Sequence, residues 1–441
     1  MDLEKSLTAI ASFVPNQFDN LRRSLDPAWV LQALEDTGTV SLRKRKLPAE
    51  QMVWLVIGMA LIRNRPIAEV AQQLDLSIGA SSLVSKAAVA QARARLGAQS
   101  LQWLCAQSGR CWARRSAKDD TFLGLKIYGV DGTTLRVADS LQNAEHFGYS
   151  LSKQGESAYP LVRLVVLMAL RSHVMAAAAF GPYQRGELHY ASQLWGQLED
   201  DTVTLVDRGF LAAPILLGIA RSGNNRHWLT RAKSSTKFVV VKKLGVSDAI
   251  VEMKVSHDAQ SKDPSLPLTW QARAITYQRK GFAPQILLTS MTDSKAYPAE
   301  DIVGLYHERW ELELGYDELK TVMLDRQETI RSKTPKMVEQ ELWGILLAYN
   351  LVRLEMLRVS EIVTVPAVRI SFVMTLRLVC DEWSWSNISG SPGAIPRHLR
   401  DMRDNLTRFV LPERRAERTY PRAVKIKMSG YPRKRRVAAV K

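Results

Sequence analysis

The side chains best suited to chemistry lie between residues 306 and 320. Tyr306, Arg309, Glu313 and Lys320 follow one another with two, three and six residues between neighbours. In one continuous helix that turns about 100° per residue, they fall at about 0°, 300°, 340° and 320° around the axis. One helix face then presents a phenol, a guanidinium, a carboxylate and an ammonium. The two cations are groups that bind phosphate oxygens, the guanidinium through a planar fork and the ammonium as a point charge.

Other side chains of the same helix face elsewhere. An apolar seam at about 220° to 260° predicts docking on a sheet, and its members are Leu305, Leu312 and Leu319. Three further acids lie at about 120° to 200°, mostly turned away from the cations, and these are Glu308, Glu311 and Glu318. Asp317, at about 20°, remains an alternative to Glu313 that this geometry leaves open.

Two more acids stand where strands are predicted to end. Asp131 precedes Gly132 between the apolar stretches 125–130 and 133–137, a step typical of a strand end or a hairpin turn. Asp207 follows the short apolar stretch 202–206 and is itself followed two residues later by a glycine. An isolated acid at such a place is more often a turn residue.

Together the three acids have the composition of a phosphoryl-transfer site. The pair Arg309 and Glu313 alone would be an ordinary i,i+4 pair on a solvated helix face, worth a few tenths of a kcal/mol. Magnesium, however, is held by a few carboxylates plus substrate phosphate oxygens, and two such ions activate a nucleophile and stabilise the departing oxygen. Three distant acids with cations beside the third predict this chemistry.

Composition and charge fit a polyanionic partner. The chain has 441 residues, with 61 Lys or Arg against 44 Asp or Glu, a net charge of +17 that favours a polyanion. With 46% hydrophobic and 24% charged residues, the composition excludes disordered, collagen-like and coiled-coil classes. The three cysteines form no C-x-x-C pair, which argues against disulfide and cysteine-based zinc scaffolds and fits a reduced, cytoplasmic setting. No signal peptide or membrane span is predicted, since the longest apolar run, 52–62, is too short.

The order of elements predicts an α/β protein with a ribonuclease-H-like mixed sheet, because strands and a helix are followed by another strand tipped by an acid. Residues 1–115 are expected to form a helical DNA-binding domain, with a helix-turn-helix or a plain helical hairpin around an N-cap at Ser85 and a helix end at Gly97. The predicted later parts are a first core segment at 116–226, a β-rich insertion at 227–284, the remaining core at 285–365 and a helical C-terminal region with a basic tail at 366–441.

The spacing Tyr, two residues, Arg, three residues, Glu, six residues, Lys resembles the signature of bacterial DDE transposases of insertion sequence family four. The segments that begin at Asp131 and Asp207 resemble the two aspartate motifs of that family, and 93–97 and 340–344 also look like it. The resemblance implies that the catalytic metal ligands are Asp131, Asp207 and Glu313, and that the phosphate-gripping residues are Tyr306, Arg309 and Lys320.

The same resemblance implies the cofactor and the reaction. Two Mg²⁺ ions, replaceable by Mn²⁺, would serve each site of a homodimer in the bacterial cytoplasm, at the nucleoid. The dimer would bind the inverted-repeat ends of its own element in double-stranded DNA, cut them and join them to target DNA. An aromatic residue that holds a flipped base is also expected, with Trp270 or Trp228 as candidates, although each fits a core position better. One alternative is a non-catalytic, sequence-specific DNA-binding protein derived from a transposase. Another is a nuclease of similar fold that uses the same site and cleaves DNA without joining it.

Overall fold

A computed structural model describes residues 25–40, 47–73, 85–118, 120–152, 155–279, 283–325, 329–389, 395–413 and 433–434. The N-terminal part is helical, with α1 (Pro27–Asp36), α2 (Ala49–Leu61), α3 (Ile67–Gln73), α4 (Lys86–Leu96) and α5 (Gln99–Ser116). α4 begins as predicted, because the Ser85 side chain accepts a hydrogen bond from the Ala88 amide, and it ends at Gly97 with a φ of 67°. The connection 74–84 between α3 and α4 lies outside the described residues, so the helix-turn-helix stays a prediction.

The centre of the molecule is a ten-stranded mixed sheet in the order β5-β4-β1-β6-β7-β11-β10-β9-β8, with β12 added beside β1. Its strands are β1 (Lys126–Val137), β4 (Leu161–Ala169), β5 (Val174–Pro182), β6 (Thr202–Val206), β7 (Arg226–Arg231), β8 (Val239–Gly245), β9 (Asp248–Lys254), β10 (Thr269–Tyr277), β11 (Gln285–Thr289) and β12 (Thr329–Ile330). β5, β4 and β1 pair antiparallel, and β6 and β7 then continue parallel to β1. This arrangement confirms the predicted ribonuclease-H-like mixed sheet.

Strands β8 to β10, from the predicted insertion, extend the same sheet through β11. Shorter elements lie between the main strands: α6 (Leu141–Phe147), β2 (Leu151–Ser152), β3 (Gly155–Ser157), α7 (Glu187–Ala191), α8 (Ala213–Arg221) and α9 (His257–Lys262). The predicted domain limits stay predictions, and the basic tail 414–436 lies outside the described residues except for β13 (Arg433–Lys434).

The expected turn at Asp131-Gly132 is wrong. Both residues lie inside β1, where Asp131 pairs with Val166 and Gly132 with Val165 of β4. The reason is the long apolar strand β4, which pairs with β1 along nearly its whole length and keeps this backbone extended.

The single helix expected across residues 306–320 is also wrong. It is divided into α10 (Ala299–His307), α11 (Trp310–Asp317) and a π-helical segment, Glu318–Met323. A uniform 100° per residue therefore does not hold along the segment, since a π-helix bonds i to i+5. The leucine seam is nevertheless as predicted, because Leu305, Leu312 and Leu319 are all buried.

The last helices of the described chain are α12 (Pro335–Val363), α13 (Phe372–Ser389) and α14 (Ile395–Leu406), and most of the length of α12 is buried. Within the described part of the chain, no helix is both long enough and apolar enough to cross a membrane.

Candidate active site

The sheet brings the two aspartates together. Val130 of β1 is in parallel register with Val206 of β6, so Asp131 and Asp207 are the next residues along adjacent strands. Each carboxylate is held by one backbone amide: Asp131 Oδ1 accepts from Gly132 N at 2.8 Å, and Asp207 Oδ1 accepts from Gly209 N at 2.6 Å. The other oxygen of each carboxylate accepts no hydrogen bond from the described residues. One oxygen per aspartate is therefore available to a cation.

The burial and like charge of the two aspartates favour the binding of a cation. Burial raises the pKa of Asp131 to about 6, and the neighbouring charges of Asp207 and Glu187 add to the rise, while the Gly132 amide and the charge of Arg309 oppose it. Two carboxylates brought together in this way repel each other when both are ionised.

The segment from α10 to the π-helix lies against these strands. The Tyr316 hydroxyl donates to the Asp131 carbonyl oxygen at 2.6 Å, and Lys320 Nζ donates to Thr133 Oγ1 at 3.4 Å. Tyr306 is buried, which raises its pKa, and among the smaller influences on it are the charges of Arg309 and Asp207. Tyr306, Arg309 and Lys320 therefore all approach the aspartate pair.

Glu313 is paired with Arg309, and no contact between Glu313 and either aspartate is present among the described residues. It accepts a hydrogen bond from Arg309 Nη2 at 3.2 Å, and 43% of its side chain is exposed. No group of three or more His, Cys, Asp or Glu side chains among the described residues is arranged to hold a metal ion. Asp317, the alternative acid, is exposed and accepts a hydrogen bond from Thr321.

Comparisons with known proteins identify the family. The family described as "Insertion element 4 transposase N-terminal" matches residues 15–106, and "Transposase DDE domain" matches residues 124–351. The chain is 37% identical over 419 residues to the transposase InsG for insertion sequence element IS4 of Escherichia coli (strain K12), covering 95% of this chain and 94% of that protein. The chain belongs to the insertion element 4 family of DDE transposases.

A solved structure can be set beside this member of the family. The chain is similar to the cryo-EM structure of a piggyBac transposase synaptic complex with hairpin DNA. The similarity covers 92% of this chain and 87% of the piggyBac chain, at 12% sequence identity and a TM-score of 0.43. The family relationship itself makes the protein a DDE-type DNA transposase, an enzyme that binds DNA and depends on divalent metal.

Sequence reasoning missed one acid of this transposase site. Glu187, at the start of α7, occupies the space where a side chain at position 132 would lie: a Cβ on Gly132 would be 2.7 Å from its Cγ. Glu187 is paired with Arg163 of β4 at 2.7 Å. Glu187 lies close to Asp131 because β1 pairs with β4, so no local sequence pattern predicts this contact.

The two tryptophan candidates lie in the core, which is the position that the sequence favoured for both. Trp228 is 1% exposed and Trp270 is 7% exposed, and their rings pack against each other at 5.5 Å. Trp270, unlike Trp228, lines a surface cleft between the insertion and α8. Base flipping therefore gains no support from these positions.

Proposed function

We propose that Asp131, Asp207 and Glu313 hold two Mg²⁺ ions, replaceable by Mn²⁺, while Tyr306, Arg309 and Lys320 bind the DNA phosphates beside the cut. The observation that carries the proposal is the aspartate pair. Asp131 in β1 and Asp207, directly after the parallel neighbour β6, each have one oxygen held by a backbone amide.

The residues fit a hard divalent cation. The donors are all carboxylate oxygens, the type that Mg²⁺ prefers, and the raised pKa of Asp131 reflects burial and like charge that a cation would offset. When bound, the ions supply activation of a water or a 3′-hydroxyl and stabilisation of the departing oxygen. The amides of Gly132 and Gly209 keep the two carboxylates in place beforehand.

Glu313 is connected to the proposed site by its ion pair with Arg309. The guanidinium of Arg309 pairs with Glu313, and its charge also influences Asp131, so Arg309 links the third acid electrostatically to the first. A DNA phosphate competes for the same planar fork. Phosphate binding by Arg309 would release Glu313 to complete the carboxylate set.

The substrate is proposed to be the inverted-repeat ends of the protein's own element. Two ends would be paired by a homodimer in the cytoplasm, at the nucleoid, then cut and joined to target DNA. The family membership and the net charge of +17 support this assignment.

The test is incubation of a labelled duplex bearing a candidate end with Mg²⁺ or Mn²⁺, followed by a denaturing gel. We expect cleavage at the transferred-strand 3′ terminus, and loss of product with retained DNA binding in Asp131→Ala and Glu313→Ala. Full cleavage by either variant would overturn the residue assignment. A shift in DNA mobility with no product from the wild-type protein would favour the non-catalytic alternative.

A further inference from the structure

We call residues 306–320 the signature segment. Three glutamates of this segment take no part in the proposed chemistry, yet all three are bound by one hairpin turn. The turn joins β4 to β5 and contains Arg171 and His173. Arg171 binds Glu308 through two hydrogen bonds, from Nε at 2.8 Å and from Nη2 at 2.7 Å. His173 lies between Glu311, at 2.8 Å from Nε2, and Glu318, at 3.2 Å from Nδ1. We call Arg171 and His173 the hairpin clamp.

His173 is built into the clamp rather than placed on its surface. Its side chain is fully buried, and its backbone has a φ of 57°, a conformation that histidine adopts more readily than most side chains. A neutral imidazole donates from one nitrogen and accepts at the other, whereas here a carboxylate faces each nitrogen. The ring of His173 therefore bridges Glu311 and Glu318.

Glu318 is the point at which the clamp meets α12. Its carboxylate also accepts from the fully buried Arg353 at 3.1 Å and from the Tyr349 hydroxyl at 2.7 Å. Burial alone would raise the pKa of Glu318, but the charge of Arg353, followed by that of His173, outweighs it and lowers the pKa to about 2. The carboxylate is therefore ionised and fixed from two sides.

The location of these contacts along the chain gives them a role. Glu308 lies at the break between α10 and α11, and Glu318 is the first residue of the π-helical segment. Lys320 follows two residues later and contacts Thr133, next to the aspartate motif of β1. The break between α10 and α11 and the π-helical segment therefore each begin at a glutamate that the hairpin clamp binds.

We propose that the hairpin clamp, together with Arg353 and Tyr349, positions the signature segment, so that Lys320 reaches the Asp131 side of the site. His173 and Glu318 are then positioning residues for DNA cleavage. The inference rests on the proposed function, since it assigns these groups to the same reaction.

The first test compares two variants of the positioning residues with a control elsewhere in the sheet. Glu318→Gln and His173→Asn should lower the single-turnover cleavage rate of an end-bearing duplex about a hundredfold, as expected for a displacement of about 1 Å, and leave the DNA dissociation constant within about twofold. The matched control is Asp248→Asn, which removes a carboxylate bound by another fully buried arginine, Arg273, in the insertion. We expect the control to lose stability to a similar degree and to cleave like wild type.

The second test is a double-mutant cycle with Lys320→Ala. If Glu318 acts through Lys320, Glu318→Gln should slow the Lys320→Ala protein far less than it slows wild type. Rate losses that multiply, or a Glu318→Gln rate equal to that of the control, would overturn the proposal. If Glu318→Gln fails to fold, Tyr349→Phe removes one hydrogen bond to Glu318 and takes its place in the cycle.

The two proposals fail differently. A wild-type protein that does not cut would overturn the proposed function and the clamp with it. A wild-type protein that cuts and an Asp131→Ala protein that does not, together with unimpaired His173→Asn and Glu318→Gln proteins, would overturn the clamp alone.

Discussion

The carboxyl group of Asp131 keeps its proton to a higher pH than an ordinary aspartate, because it is buried and lies beside the charge of Asp207. Its pKa rises from 3.8 to about 6. The folded protein therefore binds this proton more tightly than the unfolded chain. The resulting stability is fully present below pH 4 or so and is lost as the pH rises to about 6.

Asp131→Asn should reveal this effect in metal-free protein. The variant cannot ionise at residue 131, so its free energy of unfolding relative to wild type should rise by about 2 kcal/mol between about pH 4 and pH 7. Urea denaturation at both pH values measures the difference. Parallel pH profiles for the two proteins would show that Asp131 is not perturbed as described.

At the scale of single elements, glycines set how closely a helix approaches the sheet. A Cβ at Gly109 of α5 would lie 2.7 Å from the carbonyl oxygens of Met175 and Ala176 in β5. These are backbone atoms, so the helix itself would have to move away. Gly304 of α10, by contrast, has open space around its Cα.

Gly109→Ala should therefore lower the free energy of unfolding by about 1 to 3 kcal/mol. Gly304→Ala, the control, should be neutral or stabilising by up to about 1 kcal/mol, because alanine favours a helix. Chemical denaturation compares the two. Equal effects would mean that α5 does not pack on β5 through Gly109.

The elements differ in how far sequence predicts them. β6 was predictable because a short buried apolar run ends at Asp207, and α4 because Ser85 and Gly97 mark both ends. The break between α10 and α11 was not, since Glu308 is held by Arg171, a residue far away in sequence. Helical periodicity carries no information about such long-range contacts.

The same limit applies to the site. The spacing of Tyr306, Arg309, Glu313 and Lys320 predicted which side chains matter, and the Arg309–Glu313 pair is present. Sequence could not predict that Asp131 sits within a strand beside Glu187, because strand pairing decides both facts.

At the scale of the whole molecule, a buried carboxylate joins the N-terminal helices to the core. Glu341 of α12 is 2% exposed and is paired with Arg63, which follows α2. It also accepts from the Ser332 amide and hydroxyl at 3.0 and 2.6 Å. Removing one partner of a buried ion pair leaves the other charge uncompensated.

Glu341→Ala should thus cost about 3 to 5 kcal/mol of unfolding free energy. The control is Glu69→Ala, which removes the exposed i,i+4 pair with Arg65 and should cost less than about 1 kcal/mol. Urea denaturation with limited proteolysis of the N-terminal region measures both. Similar, small losses of unfolding free energy in the two variants would show that Glu341 does not hold the N-terminal helices to the core.

The net charge of the whole chain makes a further prediction. Because bound phosphates release counterions, DNA affinity should fall steeply as salt rises, with a linear plot of log K against log salt. Fluorescence anisotropy with a labelled duplex measures the slope. A slope near zero would mean that the excess of Lys and Arg does not contact phosphates.

Metal rescue at Asp207 tests whether the aspartate pair binds the catalytic metal. A thiolate is a softer ligand than a carboxylate and suits Mg²⁺ poorly, so Asp207→Cys should fail to cut an end-bearing duplex with Mg²⁺ and regain activity with the softer Mn²⁺. Thr133→Cys, which changes a neighbour that is not a proposed ligand, should show no such metal preference. Asp207→Cys activity that equals wild type in Mg²⁺, or is the same with both ions, would contradict the assignment of Asp207 as a metal ligand.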